Sequence, residues 1–300
     1  MNIKPHYIPE DRGKHKTEIS ISDFLVLNLG FAQTIHHWEN HDISSPFLRI
    51  YYIRKGKATL HLPEKDMEVV PGNMYLIPNY MPHSYECDPG FEFYYLFFLV
   101  NNRNKADIFD TYTFPTTVRG NNATQLLFEN YCDLYPQLNL PTLTAEAFDN
   151  HPSYHSYIKA YMQMENYEKM QLHGFVEILM SYFVKHAEAR LIVKDERIGH
   201  LLSYIMEHIG ETITVKQLAD KACLTESYLV RAFRQGMGIT PLQYVIKKKI
   251  QYAQSLLLGT DKSVLEICRD AGFKDASYFI RLFKKNIGFT PQEYRNGLIG

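Results

Sequence analysis

Ser227–Tyr244 reads SYLVRAFRQGMGITPLQY, and 50 residues further on Ser277–Tyr294 reads SYFIRLFKKNIGFTPQEY. Eight of the 18 positions are identical: Ser227/Ser277, Tyr228/Tyr278, Arg231/Arg281, Phe233/Phe283, Gly238/Gly288, Thr240/Thr290, Pro241/Pro291 and Tyr244/Tyr294. Unrelated segments of this length share about one, so the stretch is one structural unit used twice. Upstream the correspondence continues at an offset of 49, pairing Thr214-Val215 with Ser263-Val264 and Leu218-Ala219 with Ile267-Cys268. One extra residue therefore sits in the turn of the second copy.

The residue order within a copy predicts its shape. Thr214 before Val215, Leu218 and Ala219, and Ser263 before Val264, Ile267 and Cys268, have the hydroxyl cap and apolar spacing of a short helix. After a brief turn, Leu229 and Phe233, or Phe279 and Phe283, mark the buried side of a second helix at i, i+4. Gly238 and Gly288 suit a break, and Thr240-Pro241 and Thr290-Pro291 supply a cap and a proline at the first position of the next helix. Helix, tight turn, helix is the arrangement that offers its second helix to a DNA major groove.

Residues off the apolar stripe of that second helix are free to touch a duplex. They are Glu226, Ser227, Val230, Arg231 and Arg234 in the first copy, and Ala276, Ser277, Ile280, Arg281 and Lys284 in the second. Arginine forks onto guanine, small apolar groups meet the thymine methyl, and serine reads either partner. Arg234, Lys284 and Lys285 stand near the helix ends, where phosphate contacts set register. A solvated helix face is the plain alternative for any one of them; recurrence at matched places favours contact for Arg231 and Arg281. Pro241–Leu258 reads as one helix with Leu242, Val245, Ile246, Ile250, Ala253, Leu256 and Leu257 on its apolar side and Gly259 as terminator. Its length of roughly 27 Å approaches the ~34 Å between successive major-groove faces on one side of B-DNA.

The second copy, Ile267–Arg295, resembles the signature of AraC/XylS-type transcriptional regulators, and the resemblance runs over roughly 100 residues from Arg197 to the end of the sequence. It implies two helix-turn-helix motifs joined by a central helix, double-stranded DNA as partner, RNA polymerase as a further partner if the protein activates, and a homodimer. Cys268 stands where the family usually has alanine, a conservative departure.

A chain of 300 residues, 45% hydrophobic and 14% aromatic, is long and apolar enough for two domains with cores of their own. No run reaches the ~18 apolar residues of a membrane span, and Met1–Ser20 has basic residues with no apolar stretch after them, so a soluble cytoplasmic, nucleoid-associated protein is expected. Cys87, Cys132, Cys223 and Cys268 are scattered singly, without the pairing of a disulfide framework or zinc finger. The net charge is −1, but residues 195–300 hold 15 Lys/Arg against 11 Asp/Glu while residues 1–194 hold 17 against 22. The basic end is the one that meets a polyanion.

Ahead of the repeat, Phe47–Val100 has β character: residues 47–53, Ala58–Leu62 and Met74–Ile77 read as strands between Lys55-Gly56 and Pro71-Gly72 turns, and Phe91–Val100 as a strand buried on both faces. A sandwich or small barrel is expected, with Glu64 and Glu68 in a charged turn. Pro71-Gly72-Asn73, Ile77-Pro78 and Pro82-His83-Ser84-Tyr85 are similar in order to the cupin-type sensing domain of many AraC-family regulators. That likeness implies a small-molecule effector, a sugar or a carboxylate, bound by Trp38, Arg54, His83, Tyr85, Tyr95 and Phe97, although aromatic side chains fill a barrel interior whether or not it binds anything. A metal-dependent cupin enzyme fused to a DNA module is the competing reading. It needs a cluster of histidines with a carboxylate, and only His83 stands in the appropriate region, with His61 alone in its strand and His36, His37 and His41 flanking a loop. A methyl-accepting repair protein would need an activated thiolate, which no cysteine here resembles. No cofactor, metal or catalytic group is expected.

Thr111–Asn122 and Asn139–Ser153 read as loops, Tyr154–Arg190 as helical with a stripe of Phe175, Val176, Leu179, Tyr182, Phe183 and His186, and Leu191–Glu196 as the connection. In similar proteins Phe175, Leu179, Tyr182 and Phe183 lie where a dimer contact forms; packing on the barrel within one chain is the alternative. The expected fold is α+β with two domains: a cupin-like sensing barrel over 1–115, a helical segment over 116–194, and a double helix-turn-helix domain over 195–300.

Overall fold

The structure, a computed structural model, describes residues 23–43, 45, 47–79, 81–101, 108–141, 154–190 and 195–296. Residues 1–22, 142–153 and 191–194, which include the N-terminal basic stretch, most of the second expected loop and most of the connection, lie outside them.

The N-terminal half is a two-sheet antiparallel sandwich. One sheet has the order β1 (Asp23–Gln33), β8 (Glu92–Asn101), β3 (Leu48–Lys55), β6 (Asn73–Ile77), β10 (Thr117–Arg119). The other has the order β2 (Trp38–Ile43), β7 (His83–Cys87), β4 (Ala58–Leu62), β5 (Lys65–Glu68). Strand β8 is buried on both faces, as its unbroken apolar run requires. Its Phe93, Tyr95 and Phe97 enter the core between the sheets, whereas Tyr94, Leu96 and Phe98 enter a second core under the helices. The Glu64–Glu68 segment is not only a turn: β5 forms an edge strand with Lys65, Asp66 and Glu68 exposed, the charged fringe that discourages further pairing.

Between the sheets and the repeat lie α1 (Ile108–Thr111), α2 (Asn122–Leu134), α3 (Tyr154–Gln163) and α4 (Asn166–Val184). The expected loop over 111–122 instead contributes β9 (Tyr112–Thr113), paired with β11 (Glu188–Ala189), and β10, so the large sheet continues past residue 115. The expected single helix over 154–190 is broken, and Glu165 caps the second piece together with Glu168. Phe175, Leu179 and Phe183 of α4 are fully buried against the sheet within this chain, beside Phe128 of α2. The dimer role expected for them is therefore corrected, because packing the exposed back of a sheet takes all their surface. Tyr182 is half-buried, and its hydroxyl accepts from Asn121 Nδ2 at 3.1 Å.

The C-terminal half is helical: α5 (Glu196–Glu207), α6 (Val215–Lys221), α7 (Glu226–Met237), α8 (Pro241–Gly259), α9 (Val264–Asp270), α10 (Ala276–Ile287) and α11 (Pro291–Asn296). The duplicated sequence gives duplicated caps. Thr214 and Gln217, and Ser263 and Glu266, form reciprocal capping boxes at α6 and α9. Gly238 and Gly288 end α7 and α10 in the left-handed region, at φ 71° and 91°. Each copy has its own core, around Leu218, Leu229 and Phe233 in the first and Ile267, Phe279 and Phe283 in the second.

Candidate functional site

Helices α7 and α10 follow tight turns of matched geometry. Cys223 in the first turn and Gly272 in the second, 49 residues apart, are both left-handed, at φ 54° and 69°. At Gly272 the requirement is doubled, since a β-carbon there would lie 2.6 Å from the backbone of Gly210. With the turns fixed and Leu229, Phe233, Phe279 and Phe283 buried, the opposite faces are set. Ser227, Arg231 and Arg234 are exposed on α7 and Val230 is half-buried; Ser277, Arg281, Lys284 and Lys285 are exposed on α10, with Ala276 and Ile280 half-buried. The structure thus groups these ten residues, together with the exposed Glu226, as two corresponding surface sets. Tyr228 and Tyr278, 37% and 45% exposed, belong to the same faces, and the Arg231 guanidinium lies 5.4 Å from the Tyr228 ring. These two tyrosines are not among the residues expected to touch DNA, although their identity across the repeat is the signal that points to them.

The long α8 joins the two sets, and it is buried on more sides than its apolar stripe indicates. Leu242, expected inward, is 46% exposed, whereas Lys248, Lys249 and Gln254 are buried. Lys249 Nζ donates to Glu211 O at 2.7 Å and to Ala271 O and Gly272 O at 3.0 Å each, tying the segment just ahead of the first unit to the turn of the second. Burial draws its ammonium down to about 8. On another side, α8 packs against α3. There Lys248 Nζ pairs with Asp110 Oδ2, and the Tyr244 hydroxyl donates to the same carboxylate at 2.9 Å. The repeat module and the β domain are thus joined by a buried ion pair as well as by the chain.

Between the two sheets is a small, half-open cavity of about 50 Å³, walled by Trp38, Tyr51, Tyr75, Tyr85, Cys87 and Phe93 among others. Trp38 and Tyr85 are brought together in it, their ring centroids 4.8 Å apart. The other four residues expected to bind an effector do not line it. Arg54 is at the surface, 3.4 Å from Glu92. Tyr95 is buried, its hydroxyl paired with Asn139 and accepting from Leu140 N. Phe97 stacks on Phe47 at 5.2 Å. His83 is buried 3.5 Å from the Arg49 guanidinium, and burial together with that cation holds it near 3. A guanidinium at that distance also opposes a metal cation on the His83 ring. His61 contacts Asp66 at 2.8 Å and Glu86 at 3.6 Å. His37 and His41 flank Glu39 in the open, at 4.0 and 3.8 Å. Among the described residues, no three His, Cys, Asp or Glu side chains are grouped as a metal ion requires, and no helix is long and apolar enough to cross a membrane.

A β-sandwich with an internal cavity, joined to a duplicated helix-turn-helix, defines a ligand-domain-plus-DNA-module class of protein. Residues 25–147 match the family described as an AraC-like ligand binding domain, and residues 218–297 the family described as a helix-turn-helix domain. The N-terminal part is thus an AraC-like ligand binding domain and the C-terminal part a helix-turn-helix domain. It is 34% identical over 98 residues to the melibiose operon regulatory protein of Escherichia coli, a match covering 33% of this chain and 32% of that one, so the chain spans about a third of that curated relative's length. An uncharacterized HTH-type transcriptional regulator of Haemophilus influenzae is 21% identical over 266 residues, 83% of this chain and 86% of that one. The solved structure of ToxT from Vibrio cholerae shares the fold, with a TM-score of 0.51 at 13% identity over 93% of this chain and 99% of that one.

Proposed function

We propose that the protein regulates transcription by gripping one asymmetric duplex site with α7 and α10 in successive major grooves, under control of a small molecule bound between the sheets of its N-terminal domain. The observation that carries this reading is the pair of matched exposed faces, each with serine, arginine and tyrosine at corresponding positions, hung on opposite stretches of one helix. Arg231 and Arg281 read bases; Arg234, Lys284 and Lys285 hold phosphates. Effector binding acts by its differential affinity for domain arrangements that keep or break the Asp110–Lys248 contact. A homodimer raises affinity through effective concentration, and the surface α4 has to offer is its outward stripe of Tyr167, Met170 and Ile178. As an activator the protein also contacts RNA polymerase.

The test selects tight-binding duplexes from a random library with the full chain and then measures Arg231→Ala on the selected sequence. The variant is expected to bind ~1–3 kcal/mol more weakly with an unchanged melting temperature. Unaltered affinity would overturn the assignment.

A further inference from the structure

The cavity between the sheets has walls of a consistent chemistry. Trp38, Tyr85 and Cys87 come from the four-stranded sheet, and Tyr51, Tyr75 and Phe93 from the five-stranded one. Ile53, Ala58, Thr59, Leu60, Val69 and the Phe91 ring complete it, and among the described residues no charged side chain lines it. The rings meet at angles: Tyr51 stands edge-on to Phe93 at 5.7 Å, and Trp38 is tilted by 56° to Tyr85. The Tyr75 hydroxyl is already engaged by Val70 N at 2.7 Å. The Cys87 thiol is pushed up to about 12 by burial and by Asp88, so it remains neutral at physiological pH. The two arginines of β3 are engaged elsewhere: Arg54 pairs with Glu92 outside, and Arg49 is enclosed by Ser45, His83, Phe47 and Phe97.

We propose that the effector is a small, uncharged, mainly apolar molecule built on a single ring, held between the aromatic walls of the two sheets. This rests on the reading of the N-terminal domain as the sensor, and it departs from the sugar or carboxylate that the family resemblance implies. Desolvating a carboxylate or several hydroxyls in such a site has no compensating partner, whereas an aromatic guest gains both burial and edge-to-face contacts.

The sequence contains a single tryptophan, Trp38, and it is part of the wall, so its emission reports occupancy directly. The experiment titrates the full chain with nitrobenzene, an uncharged apolar quencher, and follows Trp38 emission and lifetime. Saturable quenching with an unchanged lifetime is expected, relieved by benzyl alcohol and not by melibiose or sodium benzoate. Ala58→Leu, which fills the cavity, is expected to weaken the quenching about tenfold. The benzyl alcohol competition on the unaltered chain gives an answer even where that variant folds poorly. Linear quenching no stronger than that of free N-acetyltryptophanamide, or relief by melibiose or benzoate, overturns the proposal. Because the readout is Trp38 and not DNA binding, failure of the regulator reading leaves this test intact.

Discussion

His83 illustrates how a single residue acquires a role that its sequence context does not announce. The Pro82-His83 turn resembles a ligand-binding position, yet the ring is packed inward, its Nδ1 2.9 Å from Met81 O and its Nε2 facing Arg49. Burial and the guanidinium lower its proton affinity to about 3, from the ordinary 6.5. The unfolded chain therefore binds a proton that the folded chain refuses, and stability falls as pH drops from 6.5 toward 3. Between pH 6.5 and 5 the loss from this one group is on the order of 2 kcal/mol. Urea midpoints for wild type and His83→Gln should show a shallower pH slope for the variant across that range; equal slopes would show that His83 is not the responsible group. What the sequence could not disclose was Arg49, wholly buried beside it, because a charged residue in a strand reads as a solvent-facing one.

At the scale of the element, α8 is the most instructive. Its ends are legible, since Thr240-Pro241 at the start has the chemistry of a cap, and the helix, Pro241–Gly259, ends within a residue of the expected span. Its apolar stripe is legible in part. The other buried sides are made by Lys248, Lys249 and Gln254, polar residues whose burial depends on partners far away in sequence, and periodicity cannot foresee that. The same limit applies to α4, whose stripe is marked for burial by its spacing but whose partner, the back of the large sheet, is one of two surfaces the sequence allows. Replacing Lys249 by Met removes the shared donor of three carbonyls, and the helix-turn-helix module is expected to lose about 2–3 kcal/mol in urea unfolding. A loss under about 0.5 kcal/mol, the range of ordinary surface substitutions, would mean that the clasp is dispensable.

For the whole molecule, the fold class, the two-domain order and the doubled module follow from the repeat and the β run, while the junction between them does not. Asp110 lies in a four-residue helix, and Lys248 pairs with it across 138 positions of sequence. Removing Asp110 takes the carboxylate away from a buried ammonium, so Asp110→Ala is expected to cost about 3–5 kcal/mol, and the double variant Asp110→Leu/Lys248→Met to recover most of it. Denaturation midpoints of the two variants check this; equal losses in both would show that the pair contributes no coupling. How the two halves of the repeat meet DNA is tested most directly by comparing the base preferences of wild type, Arg231→Ala and Arg281→Ala over a randomised duplex library. Each variant should relax the preference at its own cluster of base pairs, the two clusters lying about 10 base pairs apart. Relaxation of the same base pairs by both variants, or of none by either, would contradict a grip by two reading helices in successive grooves.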